Sequence, residues 1–494
     1  MNSKQLFLIK SISTFVFEYF KYKITNNNLT FIKNIANKLK NENIFFVKFF
    51  QSLSSNNDFL TKDSMDFLIK FTDNVEYSDN EIDTSFFDTI ENTNKNKNLN
   101  LTIENKTPIK SGLISLIYQG QLNNKKVIIK VKRKKIEAKI NHAIDYMEYL
   151  IDYLSSYKHF DVMKIKDIFN ENKEIMKNQI YFEKEVENMK KIYDININSD
   201  FLVIPNVYDE YTIDNSNIIV MDFIEGMKLT EINDTDKDKF SYLLAKFSLK
   251  SVLLDRVYHG DLHQGNIIFI KNQIVSENKS YFDYKLGIID FGIVGTLTKH
   301  EQDCYYKFFT HFFNNKFIEC TNVLFDVLIE PKEKYNNLTK DEQKIIHKNV
   351  LTIIKVAGKE KKTFNIKEIC EINKNLDNYK LALSKSFCKI ELALAIFDNV
   401  SKKLTYKTTY IDNMDKAIKV MFSTKTIDID ENETICNDIT LSDCYDSDDS
   451  DDSDDSDDSD ENDDDDSDND AIKNKHDNHV NNKKDTKKTF NECV

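Results

Sequence analysis

Proline is nearly missing from this chain, at 3 in 494 residues, and glycine is sparse at 9. The shortage accompanies an abundance of Asn, Lys and Ile, which marks an AT-rich coding sequence more than a function. The seven cysteines include no Cys-x-x-Cys. They fit free thiols in a reducing, intracellular compartment and argue against a disulfide framework. No apolar run reaches the ~18 residues that a membrane span needs. Residues 6–24 are apolar and aromatic, but carry Lys10, Glu18, Lys21 and Lys23 and lack a small-residue cleavage site, so no signal peptide is read there. The stretch reads as a buried helix, with an interfacial helix as the alternative. No internal repeat is present.

The net charge of −14 belongs to one segment. Residues 443–470 hold 18 acidic groups and no Lys or Arg, so the remainder of the chain stands at +4. That mild excess makes no case for nucleic acid. The Asp-Ser repeats bury no apolar surface, and residues 431–494 read as a disordered acidic tail. Its plain role is solubilising. A sharper alternative is a polyanionic site for a basic partner, with Ser447, Ser450, Ser453, Ser456 and Ser459 as targets of an acidophilic kinase.

What is present centres on Tyr258-His259-Gly260-Asp261-Leu262-His263-Gln264-Gly265-Asn266, followed by Leu286-Gly287-Ile288-Ile289-Asp290-Phe291-Gly292. Phosphoryl transfer from ATP needs these parts. One Asp orients or accepts the proton of the attacking group, while an Asn and a second Asp hold the Mg2+ that bridges the phosphates. Asp261 is the candidate base, and Asn266 and Asp290 the candidate metal ligands. His259 and His263 flank Asp261 in a spacing that would suit zinc, but no further His or Cys grouping completes such a site. The two pieces in this order, with an apolar strand before Asp290, favour a nucleotide site.

Upstream, residues 1–100 read as a helical extension. Residues 45–53 form an apolar helix that carries Lys48 and Gln51; such a Lys snorkels or finds a partner. From Thr107 the pattern turns to strands: residues 114–122, a turn at Asn123-Asn124, then Val127-Ile128-Ile129-Lys130-Val131. Lys130 is placed to contact ATP phosphates and pair with a helical Glu. Ser111, Gly112, Leu113 and Ile114 lie where a phosphate-covering loop belongs, although the loop is not Gly-rich. Residues 134–170 read as helix, and a second helix carries Glu185. The apolar strand 217–223 places Met221, Asp222 and Phe223 at the hinge that meets adenine. Residues 240–258 read as helix, 267–270 and 284–289 as a short hairpin, and 299–422 as amphipathic helices.

Over roughly residues 30–430 the chain resembles the UbiB/ADCK (aarF-domain-containing) atypical kinases. Lys48-Phe49-Phe50-Gln51 is similar to the family's Lys-x-Gly-Gln, with Phe50 in place of Gly. Residues 108–114 occupy the position of its Pro-Ile-Ala-Ala-Ala-Ser-Ile loop. Lys184-Glu185-Val186-Glu187-Asn188 is similar to Arg-Glu-Ala-x-Asn, residues 259–266 to His-x-Asp-x-His-Pro-Gly-Asn, and Asp290-Phe291-Gly292-Ile293-Val294-Gly295 to Asp-Phe-Gly-x-Val-Gly. The resemblance implies an α+β, two-lobed kinase-like fold that uses ATP and Mg2+. It implies a Lys48–Gln51 helix over the active site that blocks protein substrates, and ties to quinone or lipid metabolism at a membrane surface. The expected division is extension 1–100, N-lobe with helical insertion 101–226, C-lobe 227–430 and tail 431–494. Three alternatives stay open: a protein kinase acting in trans, an aminoglycoside-phosphotransferase-like small-molecule kinase, and a nucleotide-binding pseudokinase scaffold.

Overall fold

The computed structural model describes residues 2–422 except 55–60, 62, 65–66, 69–74, 157–164, 277–278, 361–365 and 405–406. The readings made for residues 431–494 lie outside the described residues. Three helices open the chain: α1 (Ser3–Thr25), α2 (Asn28–Leu39) and α3 (Ile44–Ser54). Asn2 and Asn27 cap the first two through side-chain oxygens that accept N–H bonds three residues on. Phe7, Phe31, Ile35, Phe45, Phe46 and Phe50 join one apolar cluster. The buried-helix reading of residues 6–24 holds for one face only. Phe7, Leu8, Ser11 and Glu18 are buried, while Leu6, Ile9, Val16, Phe17, Phe20 and Ile24 lie open.

Helix α4 (Ser85–Lys97) leads into a five-stranded antiparallel sheet of β1 (Leu101–Ile103), β2 (Lys110–Ser111), β3 (Ser115–Leu122), β4 (Lys125–Lys132) and, later in the chain, the strand Ile218–Asp222. The β3–β4 turn is built by Asn123 and Asn124, with φ of 49° and 68°. Paired positive φ values match the twist of a two-residue hairpin, and Asn tolerates them. Alternation sends Val127, Ile129 and Val131 into the core under α4 and turns Lys130 to the opposite face.

The sequence reading had one helix over 134–170. The structure has α5 (Ile136–Ser155) ending at Ser156, and the next described helix is α6 (Ile165–Asn178). Helix α7 (Phe182–Asn196) then carries Glu185. After the short strand β5 (Leu202–Val203) comes β6 (Ile218–Asp222), antiparallel to β4 with Ile128 opposite Met221.

The second lobe begins with α8 (Asp234–Lys250). The expected continuation of this helix to residue 258 does not occur. A π-type turn runs over Ser251–Asp255, Arg256 adopts φ 55°, and Tyr258 enters strand β7 (Val257–His259). Strand pairing takes over because β10 (Val294–Thr296) lies antiparallel to β7, with Val294 opposite His259. The hairpin of β8 (Ile267–Ser276) and β9 (Lys279–Ile288) is longer than the sequence suggested, with ten residues in each strand. Helices α9 (Lys299–Phe313), α10 (Phe317–Val327), α11 (Lys340–Lys359), α12 (Ile366–Asp377), α13 (Lys385–Leu404) and α14 (Tyr410–Phe422) complete the lobe. The architecture is α+β and two-lobed.

Candidate active site

Lys130 is the cation of the cleft. Its ammonium pairs with Glu185 of α7 in a very short hydrogen bond and with Asp290 Oδ2 at 3.0 Å. Three separate elements, β4, α7 and the loop after β9, thereby meet at one charge. Helix α7 makes a second tie three residues on. Asn188 Nδ2 donates to the Phe291 carbonyl at 3.0 Å, and residues i and i+3 share a helix face. The ring of Phe291 is fully buried.

Burial works against the Lys130 charge, but Asp290 and Glu185 outweigh it and raise its pKa. Burial likewise pushes the Asp290 carboxyl up. Lys130 and the Gly292 N–H, which donates to Asp290 Oδ1 at 3.1 Å, reverse this and hold it well below the usual carboxylate range. Glu185 moves the other way: burial and the neighbouring Asp290 charge exceed the pull of Lys130. Two carboxylates share one ammonium, and Asp290 keeps the full negative charge.

The loop 259–266 is held by its own histidines. His259 is buried. Its Nε2–H donates to the Asp290 carbonyl at 2.6 Å, and its Nδ1 accepts the Asp261 N–H at 3.1 Å. Burial lowers its pKa, so it stays neutral in this tautomer. His263 Nδ1 accepts the Gly265 N–H. Both ring nitrogens engaged in this loop are structural, and among the described residues no group of three or more His, Cys, Asp or Glu side chains could hold a metal. Asn266 Nδ2 donates to the Asp261 carbonyl at 2.9 Å, which leaves the amide oxygen as the atom able to act as a ligand. Gly260 is needed for closeness: a Cβ there would lie 2.7 Å from Ile293 Cγ2.

Lys48 of α3 reaches Asp261 Oδ2 at 3.2 Å. Burial raises the Asp261 pKa, but Lys48, His263 and His259 more than offset it and leave it below the ordinary value. The Gln51 side chain lies outside the described residues, although its backbone continues α3. The loop 110–114 closes tightly. Gly112 N–H donates to Ser115 O at 2.8 Å, and Ser111 Oγ donates to Val75 O at 2.7 Å. Leu113 and Ile114 pack against the N-terminal apolar cluster. On the hinge side, Met221 is buried, and Asp222 takes the Tyr208 hydroxyl and Lys125, each at 2.8 Å. Phe223 N–H donates to Lys126 O.

Three residues with defined positions here were given no role by sequence reasoning. Asn188 lay inside the motif around Glu185, and its i+3 spacing was the available signal. His259 was weighed only as a metal ligand. Arg133, whose Nη2 donates to Ser111 Oγ and the Val75 carbonyl, stood out only as one of two arginines in the chain, because its partners come from distant segments.

A kinase-like lobe pair with a Lys–Glu–Asp cluster at its cleft defines the class. A family model described as the ABC1 atypical kinase-like domain matches residues 72–324, and the chain belongs to that family, the UbiB/ADCK atypical kinases. It is 25% identical over 292 residues to "Probable protein kinase UbiB" of Shewanella woodyi, covering 55% of this chain and 49% of that protein. It is 26% identical over 302 residues to an "Uncharacterized protein in hydrogenase 1 5'region" of Clostridium pasteurianum, covering 59% and 53%. The chain thus spans about half the length of the curated relatives it matches. A solved complex of Rv3197 with erythromycin from Mycobacterium tuberculosis aligns with 65% of this chain and 77% of its own, at TM-score 0.42 and 14% identity.

Proposed function

We propose that the cleft binds MgATP and that the protein transfers or hydrolyses its terminal phosphate. The observation that carries this is Lys130 held charged between Glu185 and Asp290, with the Asp290 backbone tied through His259 to the loop that bears Asp261. In this reading Lys130 contacts phosphates and Glu185 orients it. Loop 110–114 covers the phosphates, and Met221, Asp222 and Phe223 flank the adenine. Asp290 and the Asn266 amide oxygen are hard oxygen donors of the kind Mg2+ takes, and these two residues would hold it. Bound there, Mg2+ would neutralise charge developing on the phosphates. Asp261 orients the attacking hydroxyl or water and accepts its proton as the new O–P bond forms and the bond to the ADP oxygen breaks.

Lys48 on Asp261 implies that α3 must shift before that proton can move. A water, small-molecule or lipid-like acceptor is favoured over a protein, because only residues 293–298 separate the Asp-Phe-Gly from α9 and no Ala-Pro-Glu follows. The link to quinone or lipid metabolism rests on the family resemblance. A membrane surface as partner gains support from the open apolar stripe of α1. The deciding test is a thermal-shift titration with MgATP, where binding to the folded state raises Tm. Wild type should gain stability and Asp290→Asn should lose most of the gain. An equal gain in Asp290→Asn would remove the metal assignment.

A further inference from the structure

Only two of the chain's 68 basic residues are arginines, Arg133 and Arg256. In a chain so biased to lysine, a buried arginine marks a place where a point charge would not serve. Arg133 follows β4, three residues after Lys130, and is 4% exposed. Its Nη2 donates to the Val75 carbonyl at 2.8 Å and to Ser111 Oγ at 2.5 Å, and its Nη1 donates to the Glu76 carbonyl at 3.2 Å. Glu81 Oε1 lies 3.7 Å from Nη1. The backbone repeats the pattern: Arg133 N–H donates to Ile114 O, Val75 N–H to Ser111 O and Lys134 N–H to Glu81 O. One planar fork thus joins the end of β4, the loop 110–114 and the segment 75–81, which lies in sequence between α3 and α4. A guanidinium can bridge several acceptors in fixed geometry, and an ammonium cannot.

We propose that Arg133 is a positioning residue for nucleotide binding: it clasps the loop 110–114 to the segment 75–81 and so sets the affinity for MgATP. This rests on the reading of the cleft as a nucleotide site. Beside the backbone pairing of β2 with β3, the Ser111 hydroxyl is the side-chain anchor of the loop, held by Arg133 and the Val75 carbonyl. With the anchor weakened, the loop must be ordered at the expense of binding energy each time nucleotide enters. Arg133 touches no reacting atom in this scheme, so its loss should act on affinity rather than on the chemical step.

The test uses the full chain and three variants, Arg133→Lys, Ser111→Ala and the double change. Two measurements are made: MgATP affinity with turnover, and hydrogen exchange of residues 110–115 in ligand-free protein. Loss of charged hydrogen bonds to Ser111 and two carbonyls should raise Kd about tenfold in Arg133→Lys, with kcat within about twofold. Ser111→Ala should raise Kd less, and the double variant should fall clearly short of the two effects combined because they share the Arg133–Ser111 contact. Exchange in 110–115 should quicken in the same order while α8 stays protected. A lower Tm with unchanged Kd and unchanged loop exchange would make Arg133 merely structural and overturn the proposal, as would additive effects of the two changes. If wild type binds no MgATP, the nucleotide reading itself fails. Exchange still decides the clasp in that case, because unaltered loop exchange in Arg133→Lys would refute it without any nucleotide.

Discussion

Lys48 sits in an apolar helix and could have snorkelled; instead its ammonium meets Asp261 at 3.2 Å. The folded Asp261 pKa lies below the ordinary aspartate value. An acid with a depressed folded pKa contributes its stability above the unfolded value and loses it as pH falls through the folded one. The Lys48 tie is therefore complete at neutral pH. Lys48→Met should raise ATP turnover severalfold near pH 7, while Asp261→Asn should bind MgATP and lose turnover; ADP release measures both. Normal turnover in Asp261→Asn would remove it as the base. A second residue, Glu391, is 2% exposed with no partner for Oε1, and burial pushes its pKa up to about 8. Unfolded, it ionises near 4.5. Between those values the native state holds the proton that the unfolded chain releases, so stability falls as pH rises through the window, by on the order of 4 kcal/mol. Glu391→Gln should lack that slope, and its Tm advantage should widen from pH 5 to pH 8. Parallel Tm curves would contradict the burial. That Asp261, Asn266 and Asp290 come together was legible because their spacing follows a pattern that phosphoryl transfer uses. Glu391 was not, because one acid among helical residues says nothing of the core it faces.

Among elements, the β3–β4 hairpin was readable from its two asparagines and its β-branched strand. The turn into β7 was not, since its π-type geometry answers to pairing with β10, far along the chain. Helix α1 was half readable. Its periodicity showed apolar residues on every side but not which side the protein would cover. The open stripe includes Phe20 at 67% exposure and Ile24 at 83%. The only carboxylate of α1, Glu18, is buried against Lys38 and Asn34; Lys21 and Lys38 lie over the Phe17 ring at 4.4 and 5.3 Å, and Lys10 pairs with Glu42. An apolar face bordered by lysines suits an anionic lipid surface. Wild type should sediment with phosphatidylcholine vesicles carrying about a quarter phosphatidylglycerol more than with neutral ones. Phe17→Glu with Phe20→Glu should abolish this and leave Tm nearly unchanged. Equal sedimentation with neutral and anionic vesicles would reject the lysine border. A dimer dissociated by the same change would assign the stripe to a second copy.

At the scale of the whole molecule, the two lobes were legible from motif order, since Lys130, Glu185, Asp261 and Asp290 can meet only if strands and helices fold around one cleft. The shortness of the segment after the Asp-Phe-Gly was legible too: within residues 293–298 lie only β10 and the Thr298 cap of α9. Incubated with radiolabelled ATP and a mixed protein extract, wild type should label few proteins beyond the Asp261→Asn control. Broad labelling by wild type alone would instead establish a protein kinase acting in trans. The same compactness bears on small-molecule selectivity. The Phe291 ring is enclosed, its carbonyl is held by Asn188, the carbonyl of Asp290 is held by His259, and the ladder of β10 on β7 starts at Val294. An inhibitor whose potency comes from evicting that ring would have to break all of these contacts first. Compounds that bind in the cleft and leave the Phe291 ring in place meet no such barrier, which makes them the chemotype to screen.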